Sequence, residues 1–135
     1  MRGLIHHVDL TVRDPDASRA FYDAVLGFMG YVLKDDHDRG FDMDLNTPGA
    51  FTSIGVVGAT GPNAERAHDR TSPGLHHIAW TAASRADVDA MFALLQRIGA
   101  TILDPPADYP KYAPGYYAVF FADPDGLKLE YVHTP

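Results

Sequence analysis

"IHHVDLTVRD" (residues 5–14) has a counterpart 70 positions further on, "LHHIAWTAAS" (residues 75–84), and this pairing decides how the chain is organised. His6 falls on His76, His7 on His77 and Thr11 on Thr81, at an offset of about half the 135 residues. Both stretches read as β-strands. Successive strand residues point to opposite faces, so neighbouring histidines cannot share a role. His7, Asp9 and Thr11 form one face, and His6, Val8, Leu10 and Val12 the other. In the second copy His77, Ala79 and Thr81 stand opposite His76, Ile78 and Trp80. The His6 and His76 faces are mostly apolar and are expected to lie under helices, with both rings in the core on a backbone or carboxylate partner. The His7 and His77 faces are mixed, as the lining of a pocket would be.

The segments after the two strands repeat as well. "DPDASRAFYDAVLG" (residues 14–27) predicts a helix capped by Asp14, with Pro15 in its first turn and Gly27 as its stop. "SRADVDAMFALLQRIG" (residues 84–99) predicts a second, with Ser84 and Asp87 as a capping box and Gly99 closing it. Ala20, Phe21, Ala24, Val25 and Phe28, and likewise Val88, Met91, Phe92, Leu95 and Ile98, recur at helical spacing. Phe21, Tyr22 and Phe92 are expected in the core. Strand-like runs come next, at 29–34, 40–46 and 51–57 in the first half, and at 100–103, 116–122 and 127–133 in the second. "DPDG" (residues 123–126) is the turn between the last two. Each half reads β-α-β-β-β, an α+β class of fold.

Two stretches interrupt the pattern. Residues 59–74, polar and rich in glycine and proline, read as a linker between module one (1–58) and module two (75–135) of a single domain. "DPPADYPKYAPG" (residues 104–115) carries four prolines and two tyrosines, too stiff for a strand and too aromatic for an idle connection.

Composition narrows the partners. A net charge of -7 argues against nucleic acid and anionic membranes, both of which reward basic surfaces. Zero cysteines exclude disulfides and a thiolate nucleophile. The first strand begins too early for a signal peptide, and no apolar run approaches the ~20 residues of a membrane span. A soluble cytoplasmic protein with a small-molecule substrate is the expectation.

Paired βαβββ modules, the "HHV" and "HHI" openings, "FYDAVLGF" on the first helix and "DPDGLKLE" near the end resemble the vicinal oxygen chelate superfamily. This group contains glyoxalase I, extradiol dioxygenases, fosfomycin-resistance enzymes and bleomycin-binding proteins. The resemblance covers essentially the whole chain. It implies a cupped eight-stranded mixed sheet with the site inside the cup, and a homodimer, because sheet edges need cover.

In "DGLKLEYV" (residues 125–132), Leu127, Leu129 and Tyr131 form one stripe, while Lys128, Glu130 and Val132 form the other. Glu130 therefore leaves the apolar side. Two imidazoles and one carboxylate with open positions suit one divalent ion, Fe, Mn, Zn, Ni or Co. The ligand positions implied by the resemblance fall on His7, His77 and Glu130. His6 and His76 have a second available role as orienting partners of those ligands.

Departures from the family patterns shape the chemistry. Glyoxalase I has a further carboxylate on the last strand of its first module, whereas "FTSIGVVG" (residues 51–58) holds no acidic residue. Asp9, on the His7 face, is the candidate catalytic base in its place. The extradiol signature has a tyrosine where this chain has Phe120, and a histidine upstream where residues 111–113 read Lys-Tyr-Ala. The fosfomycin enzymes need an arginine beyond the glutamate, and none comes after Glu130. Both activities are disfavoured. The remaining reading is a glyoxalase-like lyase or isomerase acting on a small vicinal-oxygen compound chelated to the metal. Thr11, Phe51, Tyr109, Tyr112, Tyr116 and Phe120 are candidates for the substrate pocket. The alternative is a drug- or metabolite-sequestering protein of the bleomycin-resistance kind.

Overall fold

A computed structural model describes residues 2–135; Met1 lies outside the described residues. The chain divides into two compact units, one extending to Arg66 and the other Ala67–Pro135. Each contains one helix and one four-stranded mixed sheet. The order β-α-β-β-β occurs twice, in the α+β fold the repeat implied.

The first unit comprises β1 (His7–Val12), α1 (Pro15–Phe28), β2 (Val32–His37), β3 (Gly40–Thr47) and β4 (Ala50–Gly58). Its strand order is β1-β4-β3-β2, with β1 parallel to β4 and the other neighbours antiparallel. Alternation along β3 sends Phe41 and Met43 to the helix side and Asp42 and Asp44 to the open side. Leu10 pairs with Val56, and Val56 with Phe41, so one apolar row crosses three strands beneath α1. Phe21, Tyr22, Val25 and Leu26 of α1 are buried with that row. Burying each such side chain stabilises the fold by about 1.5–3 kcal/mol. The Asp14 side chain accepts from Asp16 N at 3.0 Å, capping α1. The stop differs from the sequence expectation. The helix runs through Gly27, Met29 forms the C-cap, and Gly30 supplies the positive φ of 97° that turns the chain. The next strand accordingly starts at Val32.

The second unit comprises β5 (His77–Thr81), α2 (Arg85–Arg97), β6 (Thr101–Asp108), β7 (Tyr117–Ala122) and β8 (Lys128–His133), with strand order β5-β8-β7-β6. Val88, Met91 and Leu95 of α2 are buried, as are Leu129, Tyr131, Val119 and Phe121 of the sheet. Phe92 is only half-buried. Ser84 Oγ accepts from Asp87 N at 3.1 Å, and Asp87 Oδ2 accepts from Ala83 N at 2.9 Å, which completes the cap of α2. The Tyr131 hydroxyl donates to the same Asp87 Oδ2 at 2.6 Å, tying β8 to the helix start.

Two expectations are corrected. The 104–115 stretch is not strand-free, because β6 continues through Asp104, Pro105, Pro106 and Ala107 to Asp108. Prolines donate nothing to a ladder, and the pairing with β7 slips on both sides of Asp104. The strand survives there because it is an edge. His6 and His76 are not core residues: both are exposed and precede the first residue of their strands. Along the stripe containing His6, Val12 and Leu10 are buried, Val8 is intermediate and His6 is open. Burial fades toward the strand's start, and strand alternation does not govern His6, which precedes β1. Among the described residues no helix is long and apolar enough to cross a membrane.

Candidate active site

The open face of the second unit gathers the chemistry-bearing residues of that half. Tyr131 is held on the helix side by Asp87, so Glu130 must point the other way. His77 pairs with Lys128, and Ala79 with Glu130, in the parallel register of β5 and β8. His77 Nε2 lies 3.2 Å from Glu130 Oε2. Glu130 is 2% exposed, and a carboxylate so withdrawn from water needs polar partners. One is the Tyr116 hydroxyl, which donates to Glu130 Oε1. Burial, then the bond to Glu130, push the Tyr116 phenol well above the ordinary tyrosine range, so it remains a protonated donor.

Around Glu130 stands an aromatic group. Phe120 is paired with Glu130 across β7 and β8. The Tyr109 ring meets Phe120 edge-on at 5.4 Å and lies nearly parallel to Tyr112 at 5.7 Å; Tyr112 meets Tyr116 at 5.3 Å. Lys128 Nζ lies 4.5 Å from the Phe120 ring centre. Four of the six residues proposed from sequence for the substrate pocket are therefore together.

The remaining two belong to the first unit. There the open face carries His7, Asp9 and Thr11 of β1, all exposed. Thr11 pairs with Val57 and His7 with Ser53, while Phe51 lies further along β4. Phe51 is half-buried, 4.8 Å from the His6 ring, and lines an apolar cavity of about 250 Å³ with Leu4, Ile5 and Leu45.

The two units can be compared register by register. Asp9 pairs with Gly55 as Ala79 pairs with Glu130. Gly55 thus occupies the position in the first unit that Glu130 occupies in the second. A Cβ at Gly55 would run into Asp9 Oδ1 and lie 2.9 Å from Asp42 Oδ1. The bare glycine leaves the space over β4 to the Asp9 carboxylate of β1. Asp42 was missed from sequence, although the alternation in "FDMDLN" (residues 41–46) was the available signal. It pairs with Gly55 from the other side, and its Oδ2 lies 3.5 Å from His37 Nε2.

Each expected ligand histidine has its neighbour as partner. Nδ1 of His77 lies 2.7 Å from Nδ1 of His76, and Nδ1 of His7 lies 3.1 Å from Nδ1 of His6. Partial desolvation and the nearby His77 pull the His76 pKa below the usual histidine value. Among the described residues no group of three or more His, Cys, Asp or Glu side chains forms a ready metal cluster. His77 and Glu130 do fit such an ion as a pair, since an imidazole nitrogen and a carboxylate oxygen converge with the carboxylate's other oxygen already occupied.

Comparison with known proteins gives the family. The sequence profile of the Glyoxalase/Bleomycin resistance protein/Dioxygenase superfamily matches residues 4–131. YqjT of Bacillus subtilis strain 168, itself uncharacterized, is 33% identical over 128 residues, which cover 95% of this chain and 97% of that one. A 2-epi-5-epi-valiolone epimerase from an Actinomyces species is 30% identical, with 97% of this chain and 79% of the epimerase covered. The crystal structure of a glyoxylase/bleomycin resistance protein/dioxygenase domain from Frankia sp. EAN1pec superposes with a TM-score of 0.73 at 25% identity, over 100% of this chain and 99% of that domain. With a profile match across nearly all of both βαβββ units, the chain belongs to the Glyoxalase/Bleomycin resistance protein/Dioxygenase superfamily.

Proposed function

We propose that this protein is a metal-dependent isomerase or lyase acting on a small substrate with vicinal oxygens. His77 and Glu130 of the second unit would hold one divalent transition ion of the Fe, Mn, Zn, Ni or Co group. The observation that carries this reading is the 3.2 Å approach of His77 Nε2 to the 2%-exposed carboxylate of Glu130. A buried carboxylate beside an imidazole on an open sheet face has little structural purpose, because burying charge costs free energy that apolar packing would not. When bound, the ion supplies a Lewis acid that stabilises negative charge developing on a substrate oxygen.

The chain's own residues do the rest. Asp9 presents an exposed carboxylate above Gly55 and is the chain's candidate general base. Tyr109, Tyr112 and Phe120 form an apolar wall that favours the organic part of the substrate. Thr11 contributes a hydroxyl on the same face as His7 and Asp9. The epimerase relative supports an isomerisation, since epimerisation likewise inverts a centre without net change in composition.

Solvent exchange tests the proposal. Protein loaded in turn with each of the five metals is incubated in D2O with a panel of small α-hydroxyketones. Deuterium should enter at the carbon beside the carbonyl, and Glu130→Ala should abolish this. Tight stoichiometric ligand binding without exchange under every metal would overturn the enzymatic reading in favour of a sequestering protein.

A further inference from the structure

The tyrosine-rich connection between β6 and β7 is closed on itself by backbone hydrogen bonds. Tyr109 N donates to Tyr116 O at 2.8 Å, Tyr112 N to Tyr109 O at 3.0 Å, and Tyr116 N to Ala113 O at 3.2 Å. These bonds fold residues 109–116 into a compact turn that brings three phenol rings together. Tyr112 and Tyr109, stacked on each other, pack against the Tyr116 ring at 5.3 and 6.4 Å. Such packing leaves Tyr116 little rotational freedom, and its hydroxyl reaches 14 positions along the chain to Glu130 Oε1.

We propose that Tyr116 is the positioning residue of the metal centre, with its hydroxyl fixing Glu130 Oε1 so that Oε2 is presented beside His77 Nε2. This role rests on the assignment of Glu130 as a metal ligand. A free glutamate side chain samples several rotamers, and holding one oxygen leaves the other a single direction in which to offer its lone pairs. The bond also divides the work of the two oxygens: one accepts from the phenol, and the other faces the imidazole at 3.2 Å. Tyr116 touches neither the ion nor the substrate in this role; it acts through Glu130. The proline-rich loop, too aromatic for an idle connection, is thereby explained as the support that places one hydroxyl.

Zinc affinity decides the matter, measured on the full chain by competition with a chromophoric chelator. Tyr116→Phe keeps the ring and its packing and removes only the hydroxyl. The expected result is a loss of zinc affinity of about 10–100-fold with native circular dichroism. Glu130→Ala, run beside it, should lose zinc altogether. Unchanged affinity in Tyr116→Phe, with zinc lost in Glu130→Ala, overturns the role of Tyr116 while leaving the metal reading intact. Zinc retained in Glu130→Ala overturns both. A wild-type measurement removes any dependence on the folding of a variant: zinc titration should produce a tyrosine ultraviolet difference band that saturates at one equivalent. A zinc-saturated wild-type protein showing no such band overturns the proposal.

Discussion

His76 and His77 face each other through their Nδ1 atoms, 2.7 Å apart, and the first unit repeats the contact between His6 and His7 at 3.1 Å. Such a contact needs one protonated nitrogen and one lone pair. If His77 ligates through Nε2, its Nδ1 carries the proton and donates to His76. In that arrangement the contact with His76 is compatible with a free, ligating Nε2 on His77.

His76→Ala should therefore weaken zinc binding by about 10-fold or more. Because His76 is exposed, the same change should alter stability by no more than about 0.5 kcal/mol. His77→Ala should abolish zinc binding in a folded protein. Chelator competition and thermal melts on both variants check this. A clear drop in melting temperature for metal-free His76→Ala would return that ring to the core, where the apolar character of its strand face first suggested it lay.

Asp9 and Gly55 should behave as a unit. Asp9→Asn should keep the fold and bound metal yet slow deuterium exchange by about 10²–10⁴-fold, the range of a lost general base. Gly55→Ala should displace the Asp9 side chain, since its Cβ meets Asp9 Oδ1, and should lower exchange without touching His77 or Glu130. Exchange rates and metal content of the two variants are the measurements. Wild-type exchange in Asp9→Asn would remove Asp9 from the mechanism.

The acid limb of stability should include Asp108. Its pKa lies below the usual carboxylate value because of the hydrogen bond and ion pair with Arg85, at 2.6 Å from Arg85 Nη1. A depressed carboxylate contributes stability at pH above its unfolded pKa, and that contribution fades as pH falls through the folded value. The pair is exposed, so the effect is small. Melting temperatures of wild type and Asp108→Asn should differ slightly at neutral pH and converge in acid. A difference that persists at the lowest pH would assign it to something other than the ion pair.

Sedimentation velocity at micromolar concentration should show a homodimer. In the first unit β2 is a sheet edge that leaves Val32 62% and Leu33 44% exposed. A single monomeric species would rule the dimer out, and Val32→Lys with Leu33→Lys should shift a dimer toward monomer if this edge is the contact.

The repeat and the period of a strand carried much of this protein's design. They were enough to count two βαβββ units, to place Asp14 and Ser84 as helix caps, and to set Glu130 on the face opposite Leu129 and Tyr131. These are local properties, dictated by backbone geometry within a few residues. Depth and partnership were another matter. Whether His6 is covered depends on how far α1 extends over β1, and whether Pro105 and Pro106 sit in a strand depends on β6 being an edge. That Asp9 lies over Gly55, and that Tyr116 reaches Glu130, result from interstrand register and loop closure, which bring together residues 46 and 14 positions apart. Alternation told which way each side chain points, while only the tertiary structure decided what it meets there, because register is a property of two strands and is written in neither alone.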